Sequence, residues 1–218
     1  MMKLLILSVL FLLCSTRLFS QTPDTVFLVN TRTSTFYDML YIDPHPSAEV
    51  YRQVGDFSRT EDANEYPGGN DTPLKKWKID LSEKWVPLVI YKGKYFVELN
   101  GWACCKTRIL DSVVMVSHME VDVGVISGYH RINRNKFEFD LSFEYRPNWK
   151  LLVHLIDPGQ GIAVFEERWD NLVNFRLMVQ ANRIRNFPVI VGKSSEVTAP
   201  YRGYDVPNYD SLFRSAKH

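Results

Sequence analysis

The chain has 218 residues, 45% of them hydrophobic and 13% aromatic, which is enough apolar material for one folded domain with a core. Its 26 Lys and Arg residues nearly balance its 25 Asp and Glu residues, giving a formal net charge of +1. Nucleic-acid-binding proteins normally carry a basic excess, and disordered chains contain few hydrophobic residues. The composition therefore excludes a disordered chain and argues against nucleic acid as a partner.

The first twenty residues have the layout of a secretory signal peptide. Lys3 supplies a positive start, Leu4 to Leu13 is apolar apart from one serine, and the stretch up to Ser20 is smaller and more polar. The apolar run is shorter than the roughly 20 residues that span a bilayer. We therefore expect cleavage near Ser20, export to the periplasm or the extracellular medium, and no integral membrane segment in the mature chain.

Residues 21–218 are predicted to form a single all-β domain. Apolar and polar residues alternate from Lys136 to Tyr145, a pattern typical of a strand with one buried face. The same alternation returns at 172–177. The side chains expected to point inward there are Val173, Phe175 and Leu177.

Turn signals between the apolar runs indicate an antiparallel meander. A Pro-Gly turn separates 151–156 from 162–165, and a Lys-Gly-Lys turn separates 86–91 from 95–99. About nine or ten such strands must be closed or stacked to protect their edges, so we expect a barrel or a barrel-like sandwich. Helical structure is expected to be short at most, with its best candidate at Met178 to Arg185.

Residues 43–82 interrupt the strand pattern. This segment is rich in Pro, Gly and acidic residues and contains few aliphatic ones. Long connections of this kind are uncommon in compact domains and often serve as lids or binding loops. A surface excursion without a function is an equally good interpretation.

Aromatic and cysteine side chains near the first hairpin are the candidates for ligand binding. Trp and Tyr rings can line apolar cavities, so Tyr91, Tyr95 and Trp102 are predicted ligand contacts. Cys104 and Cys105 follow directly, beside basic residues that favour a thiolate. The alternatives are that the rings pack in the core and that the thiols have no function.

Three polar residues alternate with apolar ones where a long strand or a bent pair of strands is predicted. If this segment is extended, His118, Glu120 and Asp122 share one face. An imidazole and two carboxylates are a donor set for zinc or for acid–base chemistry. The alternative is a solvated outer face opposite an apolar inner one. No cofactor is predicted.

Two further acidic residues and one histidine are interpreted as structural. Glu166 and Glu167 are neighbours on a predicted strand, so their side chains face opposite sides and cannot flank one bond. His154 lies within an apolar strand and is most simply interpreted as a structural histidine with its hydrogen bonds satisfied.

No local catalytic signature is present, so the favoured hypothesis is an exported, non-catalytic binding module. Its ligand would be small and apolar or amphipathic, held in a barrel mouth or cleft bordered by residues 100–108 and 43–82. One alternative is an exported hydrolase that uses dispersed carboxylates or histidine. The other is an envelope protein that presents its loops to a partner protein.

Overall fold

In the computed structural model, the described residues are 25–28, 37–43, 45–62, 73–99, 105–117, 120–143, 146–195 and 204–215. The predicted signal peptide and its cleavage position lie outside these ranges. Within them, no helix is long and apolar enough to cross a membrane.

The described part of the chain is built mainly from strands, as predicted. The strands are β1 (Thr25–Leu28), β2 (Tyr37–Asp43), β3 (Lys84–Tyr91), β4 (Lys94–Leu99), β5 (Lys106–Ile109), β6 (Val113–Ser117), β7 (Val121–Asn133), β8 (Lys136–Phe143), β9 (Arg146–Asp157), β10 (Ile162–Trp169), β11 (Leu172–Gln180) and β12 (Val189–Ser195). The short helices are α1 (Ala48–Val54), α2 (Ser58–Asp62) and α3 (Tyr209–Ser215), with a 3-10 helix at Ala181–Asn186.

The helices differ in part from the prediction. The 3-10 helix overlaps the predicted helical stretch Met178 to Arg185, but that stretch begins with the last residues of β11. Helices α1 and α2 lie inside segment 43–82, for which the composition predicts irregular structure. Helix α1 forms because the Ser47 side chain caps its first turn by accepting a hydrogen bond from the backbone N–H of Val50 at 3.3 Å.

Eight antiparallel strands close into a barrel, which confirms the barrel over the sandwich. Strands β5 to β11 are paired in sequence order, each with the next. Strand β3 completes the ring because it pairs with β11 along one edge, through Val86 and Val179, and with β5 along the other, through Trp85 and Thr107. The barrel therefore depends on β3 for its closure.

The second half of β3 leaves the barrel and starts a flanking sheet. Residues Leu88 to Tyr91 pair with β4. Strand β4 runs parallel to β12, which is antiparallel to β2, and β2 pairs with β1. We call β4, β12, β2 and β1, together with the second half of β3, the flanking sheet.

The barrel interior is filled by large side chains. Trp85, Phe137, Phe139 and Phe165 are each at most 1% exposed, and the ring centroids of Trp85 and Phe165 are 5.3 Å apart. Residues 73–83, which we call the strap, form neither helix nor strand and pack against the barrel. The partly buried side chains of the strap pack against the interior cluster; they are Trp77, Ile79 and Leu81.

A second apolar layer covers part of the outer face of the barrel. Val164, Leu177 and Val179 pack there with Val54 of α1 and Phe57, which follows it. The inward orientation predicted for the alternating residues of β11 is therefore wrong. Leu177 and Phe175 belong to the outer layer, and Val173 is 54% exposed. Alternation shows that a strand has two different faces, but here both faces meet apolar neighbours.

The side chains of β11 that point inward include a buried arginine. Arg176 forms an ion pair with Glu167 of β10, and its Nη1 donates to the carbonyl oxygen of Cys105 at 2.7 Å. The Asn174 side chain donates to the second carboxylate oxygen of Glu167 at 3.0 Å. Arg176 therefore links β11 to the start of β5 beside the point where β3 leaves the barrel.

Replacing Glu167 with Gln, or Arg176 with Met, should each destabilise the protein by about 3–5 kcal/mol, because each leaves the partner's charge buried without an opposite charge. The double variant should lose less than the sum of the two. Urea unfolding of the four proteins gives the coupling free energy. The exposed Glu49–Arg52 pair is the control, and Glu49→Gln should leave the urea midpoint essentially unchanged. Strict additivity of the two buried substitutions would contradict this interpretation of the pair.

Gly124 of β7 should be intolerant of a side chain. A Cβ at this position would lie 2.7 Å from the ring of Phe143 inside the barrel. Gly124→Ala should therefore lower the free energy of unfolding by about 1–3 kcal/mol. Adding Phe143→Leu should recover part of that loss. Gly159→Ala is the control, because the nearest atom to a methyl group added there would be a carboxylate oxygen at 3.4 Å, an ordinary contact. Equal unfolding midpoints for the two alanine variants would contradict the prediction.

Candidate functional site

A large cleft lies on the outer face of the barrel, away from its filled interior. It is bounded by the outer faces of β9 and β10, by the hairpin that joins β7 to β8, and by helix α3. Its volume is about 1080 Å³, near the upper end of the usual range for small-molecule sites. The lining residues are Asn133, Arg134, Asn135, Lys136, His154, Leu155, Glu166, Arg168, Phe175 and Phe213.

The strand register brings His154 and Glu166 together on the floor of this outer cleft. His154 lies opposite Val164, so Glu166 is its diagonal neighbour on the same face of the sheet. The His154 Nε2 and Glu166 Oε2 atoms are 2.8 Å apart. Arg168, two residues further along β10, donates from Nε to the other oxygen of Glu166 at 2.5 Å. The three side chains thus form one hydrogen-bonded group.

Glu166 is 5% exposed, and both of its carboxylate oxygens have partners, as a buried charge requires. Burial lowers the pKa of His154 below its ordinary value, and the hydrogen bond to Glu166 opposes that effect. A carboxylate only accepts hydrogen bonds, so the neutral imidazole donates from Nε2, which leaves Nδ1 as an acceptor. The lowered pKa of His154 favours its neutral form, and the hydrogen bond to Glu166 orients the ring.

Aromatic side chains of α3 form the wall above this floor. The ring of Phe213 lies 4.6 Å from that of His154, centroid to centroid, and 5.8 Å from that of Phe175. Tyr209, one helical turn earlier, stacks on Phe175 at 4.9 Å and donates from its hydroxyl to the Phe175 carbonyl oxygen at 3.2 Å. The cleft therefore combines a polar floor with an apolar wall.

The hairpin between β7 and β8 supplies the rim. The Asn133 side chain accepts a hydrogen bond from the backbone N–H of Asn135 at 2.8 Å, which fixes the turn. Lys136 follows and lies directly opposite His154 in the β8–β9 ladder. Arg134 is exposed at the tip. Two basic side chains thus stand at the rim near the histidine.

The structure does not bring the predicted ligand contacts together. Trp102 and Cys104 lie outside the described residues. Tyr91 and Tyr95 are on opposite faces of the flanking sheet, because Tyr91 pairs with Lys94 whereas Tyr95 pairs with Ile90. Burial, followed by the charge of Asp157, raises the pKa of Tyr95. These two tyrosines therefore cannot line one pocket from the same side.

Cys105 borders a smaller cleft of about 370 Å³ between β3 and the segment that leads into α3. Its backbone has a φ of 76°, in the left-handed region that residues other than glycine seldom adopt. Its neighbour Lys106 donates to the carbonyl oxygens of Gln53 and Asp56 at 3.3 and 2.8 Å, and burial lowers the pKa of Lys106. The contacts of Lys106 therefore hold α1 against the barrel.

The predicted metal-binding residues are only partly described. His118 lies outside the described residues, and Glu120 is exposed. Asp122 pairs with Val116 and so lies on the interior face of β7, not on the solvated outer face. Among the described residues, no three His, Cys, Asp or Glu side chains are close enough to hold a metal ion.

His154, Glu166 and Arg168 are readily seen in the sequence, but their association is not. Glu166 and Glu167 do face opposite sides as predicted, each with its own ion-pair partner. Alternation places Glu166 and Arg168 on one face of β10. Only the register with β9 shows that His154 meets them there.

Comparisons of this chain with known protein families, curated proteins and solved structures found no match.

The acid sensitivity of the fold should depend on His154. Because its pKa is lowered in the folded state, the unfolded chain binds a proton more readily, and stability falls as the pH drops below the ordinary histidine value of about 6.5. His154→Gln should therefore flatten the decline in unfolding free energy between pH 7 and pH 5.5, measured by urea unfolding. His130→Gln is the control, because that ring is exposed. A slope for His154→Gln equal to that of the wild type would contradict the prediction.

Proposed function

We propose that the protein is a non-catalytic binding module that holds a small amphipathic ligand in the outer cleft. The observation that carries this proposal is the cleft itself, in which the rings of Phe175 and Phe213 face a polar floor of His154, Glu166 and Arg168. Mostly apolar walls with a few oriented polar groups are the usual composition of a small-molecule site. Export of the chain, predicted from residues 1–20, remains part of the proposal.

This location replaces the barrel mouth favoured by the sequence. Large side chains such as Trp85 and Phe165 occupy the described interior of the barrel, and Trp77 of the strap packs against them. A ligand inside the barrel would have to displace these close-packed groups, at a considerable cost in stability. The outer cleft is already open, so binding there does not require repacking of the core.

A hydrolase is the second candidate, and the His154–Glu166 hydrogen bond favours it. A neutral imidazole oriented by a carboxylate can act as a general base. The described residues that line the cleft include no Ser, Thr or Cys side chain, so the attacking group would have to be water. Hydrolysis of nitrophenyl laurate by the wild type, together with its loss in His154→Gln, would favour the hydrolase over the binding module.

The neutral fluorophore N-phenylnaphthylamine tests the binding module. We expect the wild type to enhance its fluorescence saturably and dodecanol to displace it. Phe213→Ala should weaken binding about tenfold, because it removes roughly 1.5 kcal/mol of ring contact from the wall. Ser211→Ala, an exposed change on the same helix, is the matched control.

Circular dichroism checks that each variant is folded. The proposal is overturned if the wild type binds neither the probe nor dodecanol. It is also overturned if folded Phe213→Ala binds them as tightly as the wild type does, because the ligand would then lie elsewhere.

A further inference from the structure

We propose that the ligand of the outer cleft carries an anionic headgroup, a carboxylate or a phosphate, on its apolar body. This inference rests on the proposed function, since it assigns the class of ligand that the same cleft accepts. It follows from the balance of charge around the cleft, where three cationic side chains, Arg134, Lys136 and Arg168, accompany one carboxylate, Glu166.

Glu166 does not neutralise the rim, because its charge is already engaged. It is 5% exposed and accepts hydrogen bonds from both His154 and Arg168. The Glu166–Arg168 pair is therefore close to neutral as a unit. The charge that remains on the cleft is that of Arg134 and Lys136. A cleft of this kind attracts anions and repels cations.

The rim cations have no acidic partner within the described part of the chain. Neither Arg134 nor Lys136 forms an ion pair there, although Glu138 lies on the same face of β8, two residues from Lys136. Glu138 is engaged by Lys150, whose Nζ is 2.5 Å from its Oε1 and 2.9 Å from Asp140 Oδ1. The acidic groups on this face thus hold Lys150 and leave Lys136 to face the cleft.

The positions of the charges fit a headgroup close to the histidine. Lys136 lies directly opposite His154 in the β8–β9 ladder, and Arg168 approaches the same floor from β10 with about half of its side chain exposed. The charge of Lys136 acts on His154, since it contributes to the lowered pKa of that ring. The aromatic wall of Phe175 and Phe213 stands beside these charges. A headgroup held by Lys136, opposite His154, therefore leaves the apolar chain against the rings.

Four probes with the same twelve-carbon chain separate the headgroups: laurate, dodecyl phosphate, dodecanol and dodecyltrimethylammonium. Below their micellar concentrations, they compete with N-phenylnaphthylamine for the intact protein. We expect laurate or dodecyl phosphate to bind at least tenfold more tightly than dodecanol, with a preference that weakens as salt is added. The tighter of the two anions identifies the headgroup.

Charge variants locate the groups that recognise the head. Lys136→Gln and Arg134→Gln should each weaken binding of the anions several-fold and leave dodecanol unaffected. Lys94→Gln is the control, because it removes one positive charge from the exposed tip of the β3–β4 hairpin, away from the cleft. An effect of the rim variants no larger than that of Lys94→Gln would overturn the inference.

The outcomes distinguish this inference from the proposed function. If all four probes bind equally and Phe213→Ala weakens each of them, the binding module stands and the anionic headgroup is wrong. If dodecyltrimethylammonium binds most tightly, the inference of an anionic headgroup is wrong, but the binding module stands. If no probe binds, both the proposed function and the inferred anionic headgroup are wrong.

Discussion

Strand β3 belongs to two sheets, and the barrel, the flanking sheet and the outer layer all depend on the point at which it divides. Its first half closes the barrel by pairing with β5 and β11, and its second half pairs with β4. Beyond its first residues, β3 no longer lies between β11 and β5. The buried Arg176, held by Glu167 and bound to the Cys105 carbonyl oxygen, links the two strands beside that gap. An arginine suits this position because its planar group donates in several directions at once.

The division of β3 also explains why the barrel has apolar material on both sides. Its interior is filled by rings such as Phe137 and Phe165, while residues of the flanking sheet, α1 and α3 pack over the outer face. The outer face is therefore apolar beneath those elements, as it is at Leu177. The outer cleft lies at the edge of this apolar layer, where Phe213 of the layer meets His154.

The hydrogen bond between His154 and Glu166 has a structural role and, in the proposed binding module, a functional one as well. The carboxylate is too deeply buried to be left unpaired, so the histidine and Arg168 are structurally required. The same bond fixes the orientation of the imidazole at the base of an open cleft. In the proposed binding module, this fixed pattern of donor and acceptor would need no reorganisation when a ligand binds. In the proposed binding module, the basic rim would add selectivity by charge.

The sequence by itself determined the all-β class, the main hairpins and the opposite orientation of Glu166 and Glu167, because these follow from local alternation and turn residues. It also determined that the chain would close its sheet, since so many strands would otherwise expose long edges. Which face of each strand points inward was decided only by the tertiary structure. Phe175 and Leu177 pack outward and Arg176 inward, because a second apolar layer competes with the barrel interior.

The candidate site was likewise decided by the tertiary structure. His154 and Glu166 are separated in the chain by a turn, and no local spacing predicts the diagonal register that places Nε2 of His154 beside Oε2 of Glu166. Phe213 lies on α3, which is far from β9 and β10 in the sequence. The alternation of apolar and polar residues in the strands does not predict this helix. Strand alternation is a property of one segment, whereas register and docking depend on the free energy of the whole packed chain.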